Sequence, residues 1–257
     1  MSRYFLQLSY FGKHFNGWQV QQNTKATIQG VVQENLSILL RQTTEVVGCG
    51  RTDTGVHAKS YFAHFDSEVQ DLAKEKKTWI YKLNKISPPD IAFHELVKVN
   101  ETASARFDAL TRTYEYHIHQ QKNVFLNDFS WYTNLQLNIE KMNEAAHLLL
   151  QFDDFTSFSK LHTQNKTNIC KIKHAKWEKQ NDNLVFTITA NRFLRNMVRS
   201  IVGTLIDVGT EKISISQFIE IIEAKNRNKA GMSVPAHGLF LTDIHYPSTI
   251  FIHEQQH

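Results

Sequence analysis

The run Gly50-Arg51-Thr52-Asp53-Thr54-Gly55-Val56-His57 sets one carboxylate between two glycines, with an arginine two residues before it and a histidine four after. Glycine reaches backbone angles closed to other residues, so Gly50 and Gly55 are expected to bracket a tight, exposed loop. The residues on either side, Glu45 to Cys49 and Ser60 to Phe65, read as strands. An acid held on such a loop is available for chemistry, although an Asp in a turn more often caps neighbouring amides. The preceding Gly48-Cys49-Gly50 suggests the opening of a dinucleotide fingerprint. That pattern fails at its third glycine, and a strand is predicted where a pyrophosphate would need a helix N-terminus.

Around the loop, helical and extended patterns alternate. Tyr4, Leu6, Leu8 and Tyr10 have the two-residue period of a half-buried strand. Ile28, Val31, Val32, Leu36, Leu39 and Leu40 form a helical stripe with Thr27 as its N-cap. Lys74 to Lys77 lead into a short apolar segment and a break at Pro88-Pro89. Thr113 to His119 alternates, Ile139 to Leu150 is helical, and Leu184, Phe186, Ile188 and Ala190 mark another strand. A helix is predicted from Phe193 to Val208, with Leu194, Met197, Val198, Ile201 and Leu205 buried. Ser214 and Gln217 have capping-box spacing, and Leu239 to Tyr246 closes the chain as a strand. This order predicts an α+β protein of two halves joined near residues 100–110.

The 257 residues suffice for one large domain or two modest ones, and 29 basic against 25 acidic side chains give a net charge of +4. That charge tolerates a polyanionic partner without requiring one. Two cysteines make no disulfide framework, and no apolar run approaches the ~18 residues of a membrane span. The N-terminus lacks a signal-peptide layout, so a cytoplasmic protein is expected.

Basic and aromatic residues adjoin at Arg106-Phe107, in Arg112-Thr113-Tyr114-Glu115-Tyr116 and at Arg192-Phe193. Stacking faces beside phosphate contacts suit unpaired or flipped nucleotides. On the predicted helix, Arg192, Arg195 and Arg199 share a flank. The like-charged Arg195/Arg199 pair costs a few tenths of a kcal/mol unless an anion intervenes. His57 and His64 have no further metal ligands at familiar spacing and read as structural; Cys49 reads as a buried thiol.

The acid loop, extended to Ala58, resembles the active-site motif of the TruA-type tRNA pseudouridine synthases. The resemblance runs in order through Tyr10-Phe11-Gly12, Phe15-Asn16-Gly17-Trp18-Gln19, Ala105-Arg106-Phe107-Asp108-Ala109 and Arg112 to Tyr116. It continues through Asp154-Phe155-Thr156-Ser157-Phe158, Asn191 to Arg199 and Gly238-Leu239-Phe240-Leu241. It implies a pseudouridine synthase fold, α+β, with two α/β subdomains of mainly antiparallel sheets flanked by helices around a basic cleft. Residues 1–105 would carry the acid loop, and residues 106–257 the tyrosine strand and arginine helix.

The implied activity is isomerisation of uridine to pseudouridine at positions 38, 39 and 40 of the tRNA anticodon stem-loop, by a homodimer using no cofactor or metal. Asp53 matches the essential aspartate, as nucleophile or base, and Arg199 its basic partner. Tyr114 matches the ring that packs on the target base, and Arg51 an arginine implicated in base flipping. Thr54 stands where alanine is common and Arg195 where histidine is common, so tRNA contacts, not the reaction, are where this chain departs. The alternatives are a synthase with another RNA target, an inactive tRNA-binding protein, and an RNA methyltransferase using Cys49.

Overall fold

The alternating N-terminal residues form β1 (Ser2–Tyr10) in a computed structural model of the chain, which describes residues 1–24, 26–69, 72–160, 167–180 and 183–252. The described residues fall into two units. The first comprises Met1–Leu110 together with the chain from Leu241 onward; the second is Thr111–Phe240.

In the first unit, β1 is antiparallel to both β3 (His57–Ser67) and β4 (Ile91–Val99), with Leu6 opposite Ala63 on one side and Leu96 on the other. The two-residue β2 (Val47–Gly48) pairs with β3, so only a fragment of the strand expected at Glu45 to Cys49 forms. Tyr4, Leu6, Leu8, Tyr61 and Ala63 are buried, as the period-two pattern requires. Helix α1 (Ile28–Leu40) starts where Thr27 Oγ1 accepts from Gly30 N at 3.3 Å, and it buries Ile28, Val32, Leu36 and Leu40.

Helix α2 (Lys76–Ile86) occupies the lysine-rich stretch, where no helix is predicted, and β4 follows it. The two are stitched together because the Asn84 side chain accepts from Phe93 N at 2.8 Å and donates to Phe93 O at 2.9 Å. Leu83 is the one fully buried residue of α2, so its helical period is thin.

In the second unit, β8 (Asn183–Ala190) pairs antiparallel with β5 (Thr111–His119) and with β7 (Ile172–Gln180), while β6 (Trp131–Tyr132) runs parallel to the end of β5. Helix α3 (Ile139–Leu148) is fixed to β7 through Asn143, whose side chain bonds both the amide and the carbonyl of Trp177 at 2.8 and 3.0 Å. Trp177, Phe186, Tyr116, Met142, Phe158 and Phe218 form the core. In the segment Asp154 to Phe158, one of the resembling motifs, Thr156–Phe158 form a 3-10 turn, and Phe155 and Phe158 are completely buried. Its contribution is packing.

Two expectations fail around α4 (Met197–Gly209). The helix starts four residues later than predicted, because Asn196 sits at φ +66°, a left-handed conformation that Asn tolerates but a helix does not contain. Arg192 and Arg195 therefore precede the helix, and the like-charged pair one turn apart does not form. Every residue of α4 is buried except Arg199 and Asp207, so the helix is enclosed nearly all round rather than along one stripe.

The last strand, β9 (Leu239–His245), begins in the second unit and ends in the first, where it lies next to β3. A single cut between residues 105 and 106 leaves this return out of account. The result is an α+β protein in which β1–β3, β1–β4, β2–β3, β5–β8 and β7–β8 pair antiparallel and β5–β6 pairs parallel.

Helix α5 (Ile215–Glu223) has a complete capping box: Gln217 N donates to Ser214 Oγ at 3.2 Å and Ser214 N donates to Gln217 Oε1 at 2.9 Å. Ser214→Ala is expected to lower stability by about 1 kcal/mol in chemical denaturation. An unchanged midpoint would show that the cap contributes nothing here.

Candidate active site

The loop from Cys49 to Val56 is seated on the N-terminal segment of its own unit. Trp18 N donates to Thr52 O at 3.2 Å, the Tyr10 hydroxyl and Thr52 Oγ1 lie 2.8 Å apart, and Gly12 N donates to His57 Nδ1 at 3.0 Å. Within the loop Val56 N donates to Asp53 O at 3.1 Å, and the Tyr61 hydroxyl donates to Gly50 O. Phe11 stacks on the His57 ring with centroids 4.9 Å apart, and Trp18 stacks on Tyr61 at 4.1 Å. These contacts bury Thr52 and His57 and leave Asp53 half-buried, with Arg51 and Thr54 exposed.

Two glycines outside the loop make this approach possible. A Cβ on Gly12 would lie 2.0 Å from Val56 O, and one on Gly17 would lie 2.5 Å from Thr52 O. Both obstacles are backbone, so neither can swing aside. Gly17 also has φ +83°. The positive-φ glycines at this site are Gly17 and Gly55 (φ +80°), which corrects the expectation for Gly50. Gly50 serves instead through its carbonyl, bonded by Tyr61.

The seat is tied in turn to α1. Ile28 N and Gln29 N, two amides that a helix start leaves without internal partners, donate to Gly17 O and Trp18 O at 3.2 and 2.9 Å. The Gln29 side chain adds bonds to Val46 O and Val20 N. Arg51 Nε donates to Gln19 Oε1 at 3.1 Å, so the arginine leans along the same N-terminal segment.

The second unit carries the other two candidates. Tyr114, half-buried on β5, meets the Phe193 ring edge-on, with centroids 5.1 Å apart and planes at 87°. Phe193 is delivered by a turn in which Asn191 Oδ1 accepts from Lys171 N at 2.7 Å and Asn191 O accepts from Arg112 Nη1 at 2.9 Å. Arg199 Nε donates to Val234 O at 2.7 Å, while Val234 N donates back to Arg199 O at 3.3 Å. The adjacent carbonyl, Pro235 O, accepts from the Tyr116 hydroxyl at 2.9 Å. Burial pushes the Tyr116 phenol far above its ordinary range, against a smaller downward pull from Arg199, so it stays a neutral donor.

Glycine again permits the contact between α4 and the segment that holds Arg199. A Cβ on Gly203 would lie 1.8 Å from Met232 O. Arg227 braces the same segment through Gly231 O and Ser233 Oγ, at 3.1 and 2.9 Å.

His57 and His64 use ring nitrogens as acceptors from backbone amides, Gly12 N and Ala105 N, each at 3.0 Å. Both work as structural histidines. Among the described residues no three His, Cys, Asp or Glu side chains gather as a metal set. Cys49 is buried, as expected, and is badly placed to attack an RNA base. The role of Gly12 and Gly17 is not legible from residues 10–12 and 15–19 alone; the available signal is a glycine beside an aromatic residue in each motif.

Comparison with known proteins agrees with the family resemblance. A family model described as tRNA pseudouridine synthase matches residues 145–247. The chain is 50% identical over 253 residues to tRNA pseudouridine synthase A of Parabacteroides distasonis, covering 98% of each. It is 49% identical to the protein of that name from Bacteroides fragilis, covering 98% of this chain and 99% of that one. Against the Bacillus subtilis protein of that name it is 37% identical, covering 93% and 97%. The chain belongs to the tRNA pseudouridine synthase A family.

Gly12→Ala is expected to displace the Val56 carbonyl and with it Asp53. Uridine conversion should drop by about 10²-fold, because small misplacements of a reacting group cost that much. An unchanged single-turnover rate would mean that the glycine seat is irrelevant to activity.

His64 gives a pH prediction. Burial, helped by Arg3 and opposed by Asp66 and Asp108, lowers its pKa from 6.5 to about 4. The folded protein therefore resists a proton that the unfolded chain binds, and stability is lost as pH falls from 6.5 towards about 4. Equilibrium denaturation should show this slope, and His64→Gln should flatten it; an identical slope in the variant would refute the assignment.

Proposed function

We propose that this protein isomerises uridine to pseudouridine in the anticodon stem-loop of tRNA, at positions 38, 39 and 40. The observation that carries the reading is the half-buried Asp53, held on a loop whose backbone is fixed by Gly12, Gly17, Trp18 and Tyr61. Family membership supplies the substrate class.

Isomerisation breaks the N1–C1′ bond, turns the uracil and joins C1′ to C5. The proton displaced from C5 is matched by one gained at N1, so the reaction needs no net redox step. Asp53 is the proposed catalytic carboxylate, acting on the nucleoside as nucleophile or base. Arg199 is the proposed cation of the active centre; a guanidinium favours the ionised form of a carboxylate it meets. Its Nε bond to the Val234 carbonyl fixes the direction of the guanidinium plane, which supports that role.

A stacked base is out of reach, so the uridine must leave its helix, at a cost of a few kcal/mol. Tyr114 is the proposed ring that receives it. The edge contact with Phe193 orients that ring without covering both of its faces. Arg51, exposed beside the acid, is the proposed side chain that takes the vacated space. We further propose a cytoplasmic homodimer that requires neither metal nor cofactor. No helix among the described residues is long and apolar enough to cross a membrane.

Asp53→Asn removes the charge with little change in shape. It should keep wild-type affinity for unmodified tRNA while conversion falls by 10²-fold or more, a drop of about the size general acid–base groups supply. Pseudouridine mapping of tRNA incubated with the variant checks this. Near-normal conversion would sink the catalytic assignment, and lost tRNA binding with intact folding would make Asp53 a binding residue.

A further inference from the structure

The pair Arg106-Phe107 has no place in the chemistry above, yet the first unit goes to some length to fix it. Phe107 is 79% exposed. The Arg106 guanidinium carbon lies 5.2 Å from the ring centroid, over one face. That cation covers part of one side and leaves the other open.

The turn that presents the pair is rigid. Asp108 Oδ2 accepts from Ser104 N at 2.7 Å, and Asp108 N donates to Ser104 O at 3.1 Å, closing the turn on itself. Phe107 N donates to Ser104 Oγ at 3.3 Å. Beneath, the fully buried Ala105 is gripped from two sides, its amide by His64 Nδ1 at 3.0 Å and its carbonyl by the Tyr246 hydroxyl at 2.6 Å. His64 and Tyr246 thus fix the backbone directly before the Arg106-Phe107 pair. The backbone that carries the ring is pre-ordered, so a ligand that covers the ring loses little backbone entropy there.

We propose that Phe107, backed by Arg106, is a stacking platform for an unpaired base of the RNA substrate, separate from the ring proposed to receive the target uridine. The partner chemistry follows from the pair: an aromatic face takes any nucleobase, and the adjacent guanidinium takes the phosphate beside it. A paired stem offers no free base face, so the platform selects single-stranded nucleotides. The proposal rests on the reading of this protein as a tRNA-modifying enzyme, but its test uses binding and does not depend on turnover.

The experiment is fluorescence anisotropy of the full-length protein with two RNAs, an unmodified anticodon stem-loop and a fully paired duplex of equal length. Phe107→Ala should weaken stem-loop binding about tenfold, Phe107→Leu nearly as much, and Phe107→Trp little or not at all. Duplex binding should be the same for all four proteins. Thermal unfolding of each variant, expected at the wild-type temperature because the ring is exposed, shows that the fold is intact. Equal stem-loop affinity for wild type and Phe107→Ala overturns the proposal, as does a loss of equal size on both RNAs. If the Phe107 variants bind as predicted but the wild-type protein converts no uridine, the catalytic reading fails and the platform stands.

Discussion

Backbone meeting backbone at Gly12 and Gly17 is the contact on which the candidate site rests. Side chains can be repacked around a substitution, but the Val56 and Thr52 carbonyls cannot move without dragging Asp53 along. The first unit therefore fixes its acid through main-chain geometry, with Tyr10, Trp18 and Tyr61 filling the space below. The same seat closes the start of α1, whose first amides bond the carbonyls of Gly17 and Trp18. Helix, seat and loop are one hydrogen-bonded block, and an acid on such a block loses little entropy when substrate arrives.

The second unit uses the same device for a cation. Gly203 lets the chain near Met232 lie directly on α4, and the following residues, Val234 and Pro235, present consecutive carbonyls to Arg199 and Tyr116. Arg199 is half-buried on an otherwise enclosed helix, and its Nε bond to the Val234 carbonyl directs the guanidinium. Glycine in both units thus buys position for a charged group.

Much of this was readable in advance, for definite reasons. Strands β1, β5 and β8 announce themselves because one face is buried and the other is not, and Ser214 with Gln217 declares the start of α5 through a purely local rule. The motifs around Asp53, Tyr114 and Arg199 mark a family by residue identity alone. Helix α2 was not legible, since four lysines and a single fully buried leucine leave almost no period to detect. The true start of α4 depends on the left-handed Asn196, whose side chain is anchored to Ser233, a residue far along the chain. Gly50 looked like the hinge because it is near the acid in sequence, whereas Gly17 is near it in space. Contacts between distant segments leave no periodic trace.

The most direct test is site-resolved pseudouridine mapping of unmodified tRNAs treated with the purified wild-type protein in a chelator-containing buffer without cofactor. New pseudouridine confined to positions 38, 39 and 40 is the predicted result. A protein that binds the tRNAs and leaves every uridine unchanged, or that converts uridines only outside the anticodon arm, would contradict the account.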